Sequence, residues 1–141
     1  MIDISTGGTK YTEPYEAVIY ALDKGVSINN ITFSSDGNAG IGITDESGKL
    51  IGFKKAPVDL NYKQIQLLVQ NGGLNLEEAL KIITLNPAIN LGLKTKGKIE
   101  QGYDADFCFL DDNLNISDVI ANGNIMIQEY KIIKKGNFEL H

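Results

Sequence analysis

Short apolar runs separated by polar turns organise this chain, and their period changes along its length. Ile2 to Ser5 alternates with period two and ends near Gly7-Gly8, the pattern of a short strand. Thr12-Glu13-Pro14 then supplies a cap, an acid and a first-turn proline; Val18, Ala21 and Leu22 share one face of the helix that Lys24-Gly25 ends. Ile31-Thr32-Phe33-Ser34-Ser35 is a second strand of buried type. It breaks at Asp36-Gly37-Asn38-Ala39-Gly40, and a hairpin-like stretch runs on through Asp45-Glu46-Ser47-Gly48-Lys49. Two helices follow closely. Asn61 to Gln70 carries Ile65, Leu68 and Val69 on one face and stops at Asn71-Gly72-Gly73. Asn75 caps Leu76 to Thr84, with Glu78 in the N3 place of a capping box, and Asn86-Pro87 starts one more short helix.

From Gly97 onward the period is strand-like: Lys98-Ile99, Ala105 to Leu110, Val119 to Ala121, Ile125 to Ile127, and Ile132-Ile133. Turn signals at Asp111-Asp112-Asn113 and Asn122-Gly123-Asn124 separate them. Strand, helix, strand, helices, then short strands predicts an α/β part followed by a small all-β part, with the boundary between Gly92 and Gly97.

Composition then narrows the function classes. With 141 residues, 43% hydrophobic and 22% charged, the chain has the make-up of an ordinary globular domain. A formal charge of -5 opposes binding to a phosphate backbone, so no nucleic-acid partner is expected. No run approaches the ~20 apolar residues of a membrane span, and Met1 to Ser5 lacks a basic leader, which predicts neither insertion nor export. Cys108, between Phe107 and Phe109, reads as a small core side chain, and a lone cysteine fits a cytoplasmic location. The single histidine is His141, at the C-terminal end. It supplies neither the two or three imidazoles of most catalytic zinc sites nor a fixed base for a serine or cysteine nucleophile.

Candidate chemistry therefore centres on Asp36. It stands directly after an apolar strand, where parallel α/β architectures present catalytic groups. A carboxylate there can bind a divalent metal, orient its water and shuttle the water proton to a leaving amine. An Asp-Gly turn accounts for the same residues equally well. Ser34 and Ser35 can support Asp36 by hydrogen bonding. Gly7-Gly8-Thr9-Lys10 has the residue types of a phosphate loop in the wrong order and reads as a surface or active-site loop. Tyr11, Tyr15, Tyr20 and Tyr62 read as packing residues with a polar tip.

Thr84-Leu85-Asn86-Pro87-Ala88, Leu91-Gly92-Leu93, Lys96-Gly97-Lys98-Ile99, Gly102 and Asp104-Ala105-Asp106-Phe107 together resemble the C-terminal signature of the amidohydrolase superfamily. Ile2 to Thr6, Glu13-Pro14 and above all Ile31-Thr32-Phe33-Ser34-Ser35-Asp36-Gly37-Asn38 are similar to the β-aspartyl (isoaspartyl) dipeptidases. The resemblance spans nearly the whole chain. It implies an α/β fold made of the last two βα units of a (β/α)8 barrel, followed by strands of a small β-sandwich. Residues 1–92 would be the barrel portion and residues 93–141 the sandwich portion.

By the same resemblance, Asp36 is the aspartate after the eighth barrel strand, both a ligand of a binuclear zinc (Zn2+) centre and general base, then acid, in hydrolysis of a β-aspartyl dipeptide. Gly40 stands four positions further on, where the family often carries a serine that touches the substrate; glycine has no hydroxyl to offer. The family's His-x-His, carboxylated lysine and two further histidines would all lie upstream of Met1. The chain is thus expected to be the C-terminal part of an enzyme, by an internal start, a trimmed chain or a split gene, and inactive alone. Two βα units cannot close a barrel of ~8 strands, so the incomplete barrel leaves edges that pair; a homo-oligomer or association with the missing N-terminal portion is expected, or else an isolated chain without order before about Gly25. Two other readings stay open. One is a different amidohydrolase, dihydroorotase-like or N-acyl-amino-acid deacylase-like. The other is a non-catalytic split-gene product acting as an interaction module.

Overall fold

The computed structural model describes residues 1–7 and 12–135. The loop assigned to Gly8, Thr9 and Lys10, together with Tyr11 and His141, lies outside the described residues. Strand β1 (Ile2–Ser5) pairs in parallel with β2 (Ile31–Ser34), and helix α1 (Pro14–Asp23) runs between them. The register sets Ile2 beside Ile31, Asp3 beside Thr32, Ile4 beside Phe33 and Ser5 beside Ser34. Because side chains alternate along a strand, one face of this pair is apolar and the other carries Asp3, Ser5, Thr32 and Ser34.

The apolar face makes the core. Ile31 and Phe33 pack with Val18 of α1, with Ile65 and Leu68 of α2 (Leu60–Gln70), and with Ala79 and Ile82 at and just beyond α3 (Leu76–Lys81). Enclosing a side chain of the size of Ile65 or Leu68 stabilises the fold by about 1.5–3 kcal/mol each. On the opposite face both oxygens of Asp3 are taken, by the Thr32 hydroxyl at 2.6 Å and the Ser34 hydroxyl at 2.6 Å. Helix α4 (Leu85–Asn90) completes the layer, and Asn86 within it is almost wholly buried. Its amide donates to the carbonyls of Ile28 at 2.8 Å and Ile31 at 2.7 Å, holding the entry to β2.

Between β2 and α2 the chain makes an antiparallel hairpin of β3 (Gly40–Thr44) and β4 (Leu50–Lys55). Asp45 closes its tip by accepting from the Ser47 hydroxyl and from the Ser47 and Lys49 backbone amides, which holds its carboxyl below the usual carboxylate range. The C-terminal part is a four-stranded antiparallel sheet, β5 (Phe107–Leu110), β6 (Ile116–Ala121), β7 (Asn124–Gln128) and β8 (Lys131–Ile132), in sequence order. Asn122 and Gly123, both with positive φ, form the two-residue turn between β6 and β7 that the sequence predicts.

Four expectations need correction. Lys98-Ile99 is not a strand: Asp104 N–H donates to the Thr95 carbonyl and Tyr103 N–H to that of Glu100, folding the segment into turns that leave Ile99 81% exposed. Cys108 is exposed instead of core: β5 stands at the edge of its four-stranded sheet and pairs with β6 on one side alone. Glu13, not Thr12, is the N-cap of α1; Glu16 reaches back to its N–H, and the Thr12 hydroxyl bonds the same Glu16 carboxylate. The helix that Asn75 caps ends at Lys81, not Thr84, since Thr84 already caps α4. Tyr15 and Tyr62 pack against the core as expected, whereas Tyr20 is exposed beneath the Lys24 ammonium.

Candidate active site at the ends of the parallel strands

Parallel pairing brings the C-terminal ends of β1 and β2 to the same level, so Thr6-Gly7 and Ser35-Asp36-Gly37 emerge side by side. Thr6 N–H extends the pairing by donating to the Ser34 carbonyl at 2.7 Å. The Thr6 hydroxyl donates to Asn61 Oδ1 at 2.7 Å, and the Asn61 amide in turn reaches the Phe33 carbonyl at 3.3 Å. Helix α2 is thereby tied to both strand ends.

Asp36 itself is exposed and adopts φ of 49°, a left-handed conformation that aspartate tolerates better than most residues. Its Oδ2 accepts the Ser5 hydroxyl proton at 2.9 Å. Backbone contacts at Gly7 are close: a Cβ there would stand 2.8 Å from the Ser35 carbonyl oxygen and 3.2 Å from Asp36 Oδ2. Only glycine lets the two loops approach in this way. Beyond Asp36, Asn38 N–H donates to the Ala56 carbonyl and Ala56 N–H to that of Ala39, so the β3–β4 hairpin is rooted directly beside the carboxylate's loop.

Ser34 and Ser35, the expected supports, do other work. Ser34 serves Asp3, and the Ser35 hydroxyl accepts from Gly37 N–H at 3.2 Å. The support comes instead from Ser5 on the neighbouring strand, which sequence reasoning did not single out. Its one signal was its position as the polar last residue of a strand, a place shared by many residues without such a role. Gly40 opens β3 opposite Lys55, and a Cβ there would make ordinary contact with the Phe53 ring.

Among the described residues no group of three or more histidine, cysteine, aspartate or glutamate side chains comes together as a metal site. Asp3 is nearest in kind on this face, but its oxygens are spent on Thr32 and Ser34. The described residues therefore offer one carboxylate, Asp36, toward a metal, and do not by themselves fit a binuclear zinc centre. Among the described residues no helix is long and apolar enough to cross a membrane.

Comparison with known proteins supplies the context that one carboxylate lacks. The family profile described as the amidohydrolase family matches residues 10–126. The β-aspartyl dipeptidase of Fervidobacterium islandicum AW-1, solved with β-Asp-Leu dipeptide, superposes with a TM-score of 0.79 at 33% identity, over 99% of this chain and 36% of that one. N-acetylglucosamine-6-phosphate deacetylase of Mus musculus is 38% identical over 81 residues, 57% of this chain and 19% of its own length. Adenine deaminase of Geobacillus kaustophilus is 42% identical over 66 residues, 45% of this chain and 11% of its own. The chain thus spans about a third of the solved dipeptidase and less than a fifth of either curated relative.

Proposed function

The chain belongs to the amidohydrolase family, and from that premise we propose that it is the C-terminal part of a zinc-dependent β-aspartyl dipeptidase, contributing Asp36 to a site that an N-terminal portion completes. The observation that carries this reading is the likeness, over nearly the whole chain, to a β-aspartyl dipeptidase, with Asp36 at the C-terminal end of a parallel strand. In this reading β1 and β2 are the last two strands of an incomplete (β/α)8 barrel. Residues 1–92 belong to that barrel and residues 93–141 to a small β-sandwich. The polar face of Asp3, Ser5, Thr32 and Ser34 then looks into the barrel, and the helices lie outside.

Asp36 acts as the proton carrier. It takes a proton from the attacking water as the new oxygen–carbon bond forms at the isopeptide carbonyl. It returns that proton to the nitrogen as the carbon–nitrogen bond breaks and the amine leaves. The zinc pair, when bound, would supply Lewis-acid polarisation of water and carbonyl, with Asp36 as one ligand and the others from the N-terminal portion. Gly40 lines the substrate side of the loop without a hydroxyl contact. The assembly works in the cytoplasm, and the uncovered strand edges associate with the N-terminal portion and with further copies of the chain.

The 38–42% identity to a deacetylase and a deaminase supports a second reading, an amidohydrolase acting on another small carbon–nitrogen substrate. One assay separates the two. The chain is produced alone and together with the N-terminal portion its relatives carry, and each sample is offered β-Asp-Leu, N-acetylglucosamine 6-phosphate and adenine. Zinc-dependent release of leucine by the assembly, with the chain alone inactive, is the expected result. Hydrolysis by the chain alone would overturn the division of ligands, and a preference for either other compound would replace the dipeptidase reading.

A further inference from the structure

We propose that Ser5 is a positioning residue that fixes the orientation of the Asp36 carboxylate, an inference that rests on the proposed role of Asp36 in the site. Ser5 Oγ accepts from Gly7 N–H at 3.3 Å and stands 2.9 Å from Asp36 Oδ2. A hydroxyl has one proton. With the Gly7 amide directed at a lone pair of Oγ, the proton points to Asp36, and Oδ2 is committed as its acceptor. The same bond holds the side chain of a residue whose backbone sits in the left-handed region on an exposed loop, where little else fixes it.

The geometry around the pair favours this role over a purely structural one. Strand pairing puts Ser5 beside Ser34, yet Ser34 turns to Asp3, so Ser5 has no cross-strand partner among the described hydrogen bonds other than Asp36. Gly7 allows the approach, since any Cβ there would stand 3.2 Å from the Oδ2 that Ser5 holds. The two features converge on one carboxylate oxygen.

The test uses Ser5→Ala and Ser5→Thr in two settings. In the 141-residue chain, three-bond NMR couplings report the χ1 rotamer of Asp36; a single rotamer is expected in the unmodified chain and with Ser5→Thr, and averaging with Ser5→Ala. A single rotamer in Ser5→Ala would overturn the proposal, as would a crystal structure of the unmodified chain with Ser5 Oγ beyond hydrogen-bond reach of Asp36, a measurement that stands even if the alanine variant fails to fold. In the assembly, Ser5→Ala is expected to lower kcat about 10- to 100-fold with KM changed less than about twofold, and Ser5→Thr to restore kcat. Unchanged kcat in Ser5→Ala refutes the role of Ser5, whereas no hydrolysis by the unmodified assembly refutes the dipeptidase reading and leaves the NMR result to decide the hold on Asp36.

Discussion

The phenol of Tyr62 on α2 donates to the carbonyl of Leu114, in the turn between β5 and β6, at 2.6 Å. Gln66, one helical turn on, donates to the same oxygen at 2.9 Å. Two donors from the helical layer thus share one acceptor in the β5–β6 turn. Leu114 is held for them with φ of 63°, while Asp111 gathers the amides of Asn113 and Asn115 around the turn. This is the polar join between the two parts of the chain.

Removing Tyr62's hydroxyl therefore tests that join. Tyr62→Phe leaves Gln66 in place and is expected to cost about 1 kcal/mol, and adding Gln66→Leu should cost more than the two single changes together. Urea unfolding of the four proteins measures the coupling. Burial pushes the Tyr62 phenol above the ordinary tyrosine range, with Cys108 and Asp111 adding to the effect. A raised folded value means this stabilisation is complete at neutral pH and fades only as pH climbs past the ordinary tyrosine range.

Asn86 serves β2 from inside α4. Asn86→Leu keeps the bulk but strips donors from the carbonyls of Ile28 and Ile31, so a loss of about 2–4 kcal/mol is expected in chemical denaturation. An unchanged midpoint would mean that water replaces the amide.

Gly97 shows two separable demands. Its φ is +90°, and a Cβ would stand 2.8 Å from Ala88 Cβ and 3.0 Å from the Thr84 carbonyl oxygen. Gly92 has φ of +67° and open space around it. Gly97→Ala is expected to cost about 2–4 kcal/mol, by backbone strain and overpacking together, and Gly92→Ala only about 1–2 kcal/mol. Thermal unfolding of both variants separates the terms.

Lys96 bridges Asp104 at 2.8 Å and Asp106 at 2.5 Å, while Asn122 N–H donates to the other oxygen of Asp106. Lys96 first, then the Asn122 amide, holds the Asp106 carboxyl below the usual carboxylate range, and the two carboxylates raise Lys96 in turn. A depressed folded value contributes stability above the ordinary carboxylate range that is lost as pH falls through the folded value. Lys96→Met should shift the NMR titration of Asp106 upward without returning it fully to the ordinary value, because the Asn122 amide remains.

Cys108 is exposed, yet partial burial of its thiol, aided by Asp106, pushes its ionisation upward. Reaction with a thiol reagent should be slow at neutral pH and accelerate well above pH 8, since the thiolate is the nucleophile. Fast modification at neutral pH would contradict that environment.

The chain's local patterns were enough to place β1, β2, α1 and α2, because each rests on its own apolar spacing and on punctuation by Pro14, Gly25 and Asn71. The Asn122-Gly123 turn was legible for the same reason. The Glu129-Tyr130 turn was not. Both residues have positive φ without a glycine, and remote groups hold them there: the Asp118 carboxylate, the Ser117 carbonyl and the bond from the Tyr130 hydroxyl to Asp111.

The candidate site divides in the same way. Sequence by itself singled out Asp36, since a carboxylate between an apolar strand and a glycine turn is a local pattern. Only the tertiary structure decided that Ser5, 31 positions away, holds its Oδ2, that Ser34 serves Asp3, and that Asn61 ties both strand ends to α2. It likewise exposed Cys108 and unmade the strand at Lys98-Ile99. The physical reason is common to all of these. Propensity and periodicity are properties of neighbours in the chain, whereas a hydrogen-bond partner or a covered face is set by strand register, and register is fixed only when the sheet forms.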